Sequence, residues 1–264
     1  TAIHSCFAQK NGGALALRGS RSSMQSQGPV NVELMDSTLE FNQAAQHGGA
    51  IYASGTQAGV RVVSKNSVYR HNVCSGGDGG AVYVVDDVGM GSWTSEGDRY
   101  ERNNATIGSG GAICAFGFKL DFVLSTCARN DAPLGGGGCV MWDPLADSVD
   151  APSWVSLAPA IAASVQKNTL LGNTAAYSPD IGTPPASINI DMSITLAGAY
   201  GSAHVAQDGT QPVYPTPQAT LVDYYKEKVV GRFTKGIAID ASLPAENVAK
   251  GATAEPGGVL REPI

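Results

Sequence analysis

Residues 39–53 read Leu39-Glu40-Phe41-Asn42-Gln43-Ala44-Ala45-Gln46-His47-Gly48-Gly49-Ala50-Ile51-Tyr52-Ala53. Two elements of this stretch recur along the chain: a bulky residue three positions before an Asn, and a glycine pair followed by a small and then an aliphatic residue. The glycine element returns at Gly12-Gly13-Ala14-Leu15, Gly79-Gly80-Ala81-Val82, Gly110-Gly111-Ala112-Ile113 and Gly137-Gly138-Cys139-Val140, and the pair starts are separated by 36, 31, 31 and 27 residues. The Asn element precedes it by six or seven residues, as Leu39/Asn42, Tyr69/Asn72, Tyr100/Asn103 and Cys127/Asn130. Two copies are degenerate. Ile3 and Cys6 stand in the first, and Leu170/Asn173 opens a sixth in which Pro179-Asp180-Ile181-Gly182 replaces the glycine pair.

A period near thirty residues holds three short strands and three turns, one coil of a parallel β-helix whose coils pair only with their neighbours at about 4.8 Å. Stacking turns each repeated position into a column. The bulky residues fill the bore. The Asn residues form a ladder at a tight turn, where their amides bond along the stack and left-handed backbone angles are tolerated. Each glycine pair supplies a positive φ and a close approach at the corner that opens the next strand. Helical solenoids and propeller blades have similar periods, but helical periodicity is missing except around residues 157–165, and no Trp-Asp signature occurs. The expectation is an all-β chain: a right-handed parallel β-helix of five to six coils over residues 1–186, with the structural ladder Asn42, Asn72, Asn103, Asn130, Asn173 and the corners Gly48, Gly49, Gly79, Gly80, Gly110, Gly111, Gly137, Gly138.

After Thr183-Pro184-Pro185, whose prolines cannot donate to a ladder, the pattern changes. Ile188, Ile190, Met192, Ile194 and Leu196 alternate with polar or small residues, and further strands fit 219–223, 229–233 and 237–243, with 224–228 as a turn. Residues 187–264 are expected to form a partial β-sandwich. Its open edges, together with the coil ends, would invite association with copies of itself or with other proteins.

The paired Gly-Gly-Ala-Ile/Val and Tyr-x-x-Asn elements resemble the repeats of the polymorphic outer membrane proteins, a pectin-lyase-like β-helix family of bacterial surface adhesins. They are also similar to repeats of large extracellular proteins of green algae, whose last coil often reads as Asn173-Thr174-Ala175-Ala176-Tyr177-Ser178-Pro179-Asp180 and then Thr183-Pro184-Pro185 do here. Likewise 219–225 followed by Val229-Val230-Gly231 resembles early strands of immunoglobulin-like or filamin-like modules. These likenesses imply a cell-surface or secreted location and assign no catalytic residue.

Composition narrows the function classes. The 17 Lys and Arg are scattered against 23 Asp and Glu, which disfavours a nucleic-acid face. No run of 18 apolar residues suggests a membrane span, and a chain opening at Thr1 without Met reads as a segment of something longer. The five cysteines at 6, 74, 114, 127 and 139 show no metal spacing, so no metal or cofactor is expected. In coil register Cys114, Cys127 and Cys139 fall near one another; either a disulfide joins two of them or they are buried thiols. Asn104-Ala105-Thr106 is the sole N-glycosylation sequon, placed in an exposed turn.

Parallel β-helices also host polysaccharide lyases and hydrolases, so the candidates for such chemistry were Asp86, Asp87, Asp98, Asp121 and Asp143 with Arg99, Arg102 and Lys119. No two of the acids repeat at one coil period on the same face at a catalytic separation, and Asp86-Asp87, where a loop should follow the strand, read as solvated turn acids. His4, His47, His71 and His204 carry no nucleophile motif, and His47 and His71 read as outward turn residues. The leading expectation is a non-enzymatic extracellular structural segment, a protomer of a surface filament, ciliary appendage or wall lattice. An adhesin or glycan-binding ectodomain is the alternative, with Tyr52 and Tyr83 as an exposed flat platform.

Overall fold

The computed structural model describes residues 1–19, 29–55, 59–86, 89–143, 167–184, 187–191, 218–223 and 228–229. All regular structure in them is β, and the strands before residue 186 build a parallel solenoid of about four complete turns. Each complete turn carries four strands rather than the expected three, one in each of four sheets. Sheet I stacks β1 (Ala2–His4), β5 (Thr38–Glu40), β9 (Val68–Arg70), β13 (Arg99–Glu101), β17 (Thr126–Ala128) and β20 (Thr169–Leu171). Sheet II stacks the two- to six-residue strands β2 (Phe7–Ala8), β6 (Gln43–Ala44), β10 (Val73–Cys74), β14 (Asn104–Ala105), β18 (Asp131–Gly136) and β21 (Thr174–Tyr177). Sheet III follows each glycine pair, with β3 (Leu15–Gly19), β7 (Ile51–Gly55), β11 (Val82–Asp86), β15 (Ile113–Phe116), β19 (Val140–Asp143) and β22 (Ile181–Gly182). Sheet IV holds β4 (Val30–Met35), β8 (Val60–Lys65), β12 (Ser92–Glu96) and β16 (Lys119–Val123). The expected three-strand count failed because one strand's worth of residues, 38–44 in the second turn, bends sharply in its middle and splits between sheets I and II.

The bend has a local cause. Phe41, His71, Arg102 and Arg129 sit at φ 53 to 57°, with Ser5 and Gly172 in the flanking turns, each directly before the ladder position. The left-handed angle therefore belongs to the residue ahead of each ladder Asn, not to the Asn itself. A second bend of the same kind joins sheets IV and I, with Asp36, Asn66, Gly97, Leu124 and Lys167 left-handed. At the glycine corners the first Gly is left-handed, as at Gly79 (φ +72°), and the second is held by close approach: a Cβ on Gly80 would lie 2.1 Å from the carbonyl oxygen of Gly111. In the last turn Ser178 (φ 50°) and Pro179 take the two glycine positions, one residue earlier than the expected Pro179–Gly182 match, because Ile181 pairs with Val140 and Gly182 with Met141.

Alternation sends every second residue inward. The bore contains the columns Leu39, Tyr69, Tyr100, Cys127 from sheet I, Ile51, Val82, Ile113, Val140 from sheet III and Val62, Trp93, Leu120 from sheet IV, all buried. Sheet II contributes the small buried residues Ala44, Cys74, Ala105 and Ala132.

After the solenoid, β23 (Ser187–Asp191) pairs antiparallel with β24 (Gln218–Val222), and Lys228 bridges to Val222. This is a two-stranded ribbon; the strands expected over 230–233 and 237–243 lie outside the described residues, as does Asp87. Leu221 and Val229 pack with Phe116, Met141 and Tyr177 on the outer face of sheet III.

Candidate functional site

Two polar columns line the bends. At the bend between sheets I and II each Asn accepts, through Oδ1, the backbone N–H and the side-chain amide of the Asn one turn earlier: Asn72 does so for Asn42, Asn103 for Asn72 and Asn130 for Asn103, at 2.9–3.0 Å. The same Nδ2 also donates to the carbonyl of the bulky residue one turn earlier, as Asn103 does to Tyr69 at 2.9 Å. Cys6 opens the column by donating its N–H to Asn42, and Asn173 closes it by donating to Asp180 Oδ1 at 2.9 Å.

The second column, at the bend between sheets IV and I, is one that sequence reasoning missed. It runs Ser37, Ser67, Asp98, Ser125, Asn168, each side-chain oxygen from Ser67 onward accepting the N–H of the member one turn earlier. Its signal was available, since every member lies five residues before a ladder Asn. Asp98 is fully buried, taking hydrogen bonds from Ser67 N–H and the Ser95 hydroxyl, both at 2.7 Å. Burial pushes its carboxyl above the usual range, opposed by those hydrogen bonds.

Tyr69 and Tyr100 stack in the bore with ring centroids 4.7 Å apart. Their hydroxyls meet Ser64 at 2.7 Å and Ser95 at 3.1 Å, and burial drives both phenols far up. Trp93 Nε1 donates to the Tyr100 hydroxyl at 3.3 Å. Register partners of Ser64 and Ser95 are Leu34 and Phe122, both packed into the bore, with the Phe122 ring 5.6 Å from that of Tyr100.

The remaining candidates disperse. Asp86 ends β11 fully buried, not in a solvated loop. Asp121 and Asp143 are half-buried, and their register partners are Thr94 and Phe116, so no carboxylate stacks on another of the set. Lys119 and Arg102 are exposed. His4 is exposed at the first turn, and His204 lies outside the described residues. His71 stacks on Phe41 at 4.9 Å.

His47 is not a free outward residue. Its ring packs on Tyr83 at 4.4 Å, and its Nδ1 accepts the Asp78 N–H at 3.2 Å, which requires that nitrogen to be unprotonated. Burial accordingly lowers its pKa, against the pull of the Asp78 carboxylate 3.9 Å away, while burial raises the pKa of Asp78. Cys74 donates its thiol to the Gln46 carbonyl, and burial pushes it up to about 11, away from thiolate chemistry. Among the described residues no three His, Cys, Asp or Glu converge as metal ligands.

A disulfide joins Cys127 and Cys139; Cys114, Cys74 and Cys6 are outside it. Cys139 faces into the bore below Ala112, whereas Cys114 packs on the outer face with Phe116 and Met141. Asn104 lies in β14 rather than in a turn and is half-buried, facing outward between Val73 and Asp131. Tyr52 and Tyr83 do not make a flat platform: their rings are parallel and stacked at 5.7 Å, so the faces cover each other and edges point outward.

The outer face of sheet I is chemically the most distinctive surface. Arg70 pairs with Glu40, and Arg99 with Glu101 through Nε at 3.1 Å, while the exposed Arg102 and Arg129 have no acidic partner among the described residues. Arg99, Glu101, Arg102 and Arg129, with Thr126 and Leu171, border an open groove of about 380 Å³. No family model, curated protein or solved structure matches the chain.

Proposed function

We propose that the chain is a non-enzymatic extracellular structural segment that assembles head to tail through the ends of its solenoid. The observation that carries this is where the core is left open. Ile3, Leu15, Leu17, Val32 and Leu34 point into the bore of the first turn and are half-exposed, whereas Leu39, Ile51, Ala53, Val62 and Ser64 one turn further in are fully or almost fully buried. Leu170, in the last turn, is likewise half-exposed. Both ends also present parallel strand edges, β1 to β4 on one side and β20 to β22 on the other. All solenoid strands run in one direction, so a copy translated along the axis would continue three sheets at once and bury both open ends. A head-to-tail contact of that kind does not close on itself and propagates as a filament.

The reading draws further support from the disulfide, which persists in oxidising compartments, and from the likeness of the glycine and Asn columns to surface-protein repeats. With it go the right-handed coil sense usual for parallel crossovers and a sandwich completed around β23 and β24. Among the described residues no helix is long and apolar enough to cross a membrane.

Sedimentation velocity over a range of concentrations tests the proposal. The wild-type chain is expected to form oligomers that grow with concentration, and Val32→Lys, which places a charge in the open mouth, to remain monomeric with an unchanged far-ultraviolet spectrum. A wild-type chain that stays monomeric at every concentration would overturn the proposal.

A further inference from the structure

The left-handed column before the Asn ladder projects Phe41, His71, Arg102 and Arg129 outward on successive turns. Its two guanidinium groups therefore occupy neighbouring rungs, about 4.8 Å apart in backbone spacing. Like charges at that spacing repel, and neither finds a carboxylate among the described residues. Arg99 reaches the same groove from β13 but is already engaged by Glu101. The floor between them is formed by Ala128 and Leu171, the latter 59% exposed and apolar.

We propose that this groove binds a linear anionic polysaccharide, with Arg102 and Arg129 as the contact residues. Guanidinium forks match carboxylate and sulfate oxygens in a bidentate manner, and a row of them at strand spacing suits a chain that carries such groups repeatedly. The apolar floor offers a surface for the C–H face of a sugar ring, as mostly apolar sites with few placed polar groups do. Nucleic acid fits less well. A duplex is held by on the order of six to ten phosphate contacts, and this face supplies two uncommitted guanidiniums on a chain of net charge -6 that repels a dense polyanion elsewhere. This inference does not rest on self-assembly, since Arg102 and Arg129 project outward from the turns before the last, although Leu171 belongs to the terminal strand β20.

The test is direct binding of the full chain to polygalacturonate and to dextran sulfate, with neutral dextran and a single-stranded oligonucleotide as comparators. The fold-safe variant is Arg102→Asn with Arg129→Asn, because Asn tolerates the left-handed angle. Arg61→Asn, an exposed position on sheet IV, is the control. Binding to one or both acidic polysaccharides and not to dextran is expected, weakened by about tenfold or more in the double variant. The control is expected to bind as wild type and all variants to keep the wild-type unfolding midpoint. Preference for polygalacturonate assigns a carboxylated ligand, and preference for dextran sulfate a sulfated one. Failure of the wild-type chain to bind either, equal binding by the double variant, or equally tight binding of the oligonucleotide would overturn the proposal.

Discussion

A ladder Asn and its neighbour in the other polar column look alike in space and differ in what they must do. Each internal Asn of the first column accepts the N–H and the side-chain amide of the Asn one turn earlier and donates to a backbone carbonyl of that same turn, so its position needs both halves of a primary amide. Asn103→Ala would delete four such bonds and strand the buried Asn72 N–H and Tyr69 carbonyl. A loss of about 3 kcal/mol is expected, read as a lowered denaturation midpoint at unchanged slope. The second column accepts more variety, because Ser67, Ser125 and Asn168 differ in length but all combine an acceptor with a donor. Asp98 alone has only the acceptor when ionised, and its burial is a cost. Since its folded pKa is raised, its contribution to stability is complete below the ordinary carboxylate value of 3.8 and is lost as pH rises through the raised value. Asp98→Asn is therefore expected to be at least as stable as wild type at pH 7, with its advantage shrinking toward pH 3.5. Equal stabilisation at both pH values in urea titrations would contradict the assignment. The Asn column was legible because one residue type repeats; the second was not, because Ser, Asp and Asn share a role without sharing a letter.

Between strands, the bore is filled by compensating pairs. Ser64 meets Tyr69 and Ser95 meets Tyr100, so that a large residue on sheet I is met by a small, hydroxyl-bearing one on sheet IV, while the corresponding positions of the flanking turns carry Leu34 with Leu39 and Phe122 with Cys127. Ser64→Leu alone would overpack the ring of Tyr69 and remove its hydroxyl's partner, at a cost of about 2–3 kcal/mol. Ser64→Leu with Tyr69→Leu restores the pair found one turn earlier, and a double-mutant cycle is expected to show a favourable coupling of about 1–3 kcal/mol. Independent, additive losses would show that the two sites do not share one space. The sequence revealed the repeating columns and the corners but not the fourth strand, because the left-handed residue that splits sheet I from sheet II is Phe, His or Arg rather than the glycine that usually marks such an angle. It likewise hid the fate of Tyr52 and Tyr83: spacing places them on one face, while only the register shows that successive rings lie on top of one another.

At the scale of the whole molecule, one-dimensional stacking makes each turn depend on its neighbours, and the first and last described turns are the least covered. The inward residues of β1, β3 and β4 carry the side-chain types of a core and the exposure of a surface. The terminal copies depart from the repeat pattern, with Cys6 at an Asn position and Pro179 among the corner residues, but the letters do not show how far their inward side chains are covered. The most direct measurement is electron microscopy of unheated material at neutral pH. Filaments whose axial repeat equals the height of one solenoid, with density continuous from the last turn of one copy into the first turn of the next, are the predicted result. Dispersed single particles under conditions where the solenoid is folded would contradict it.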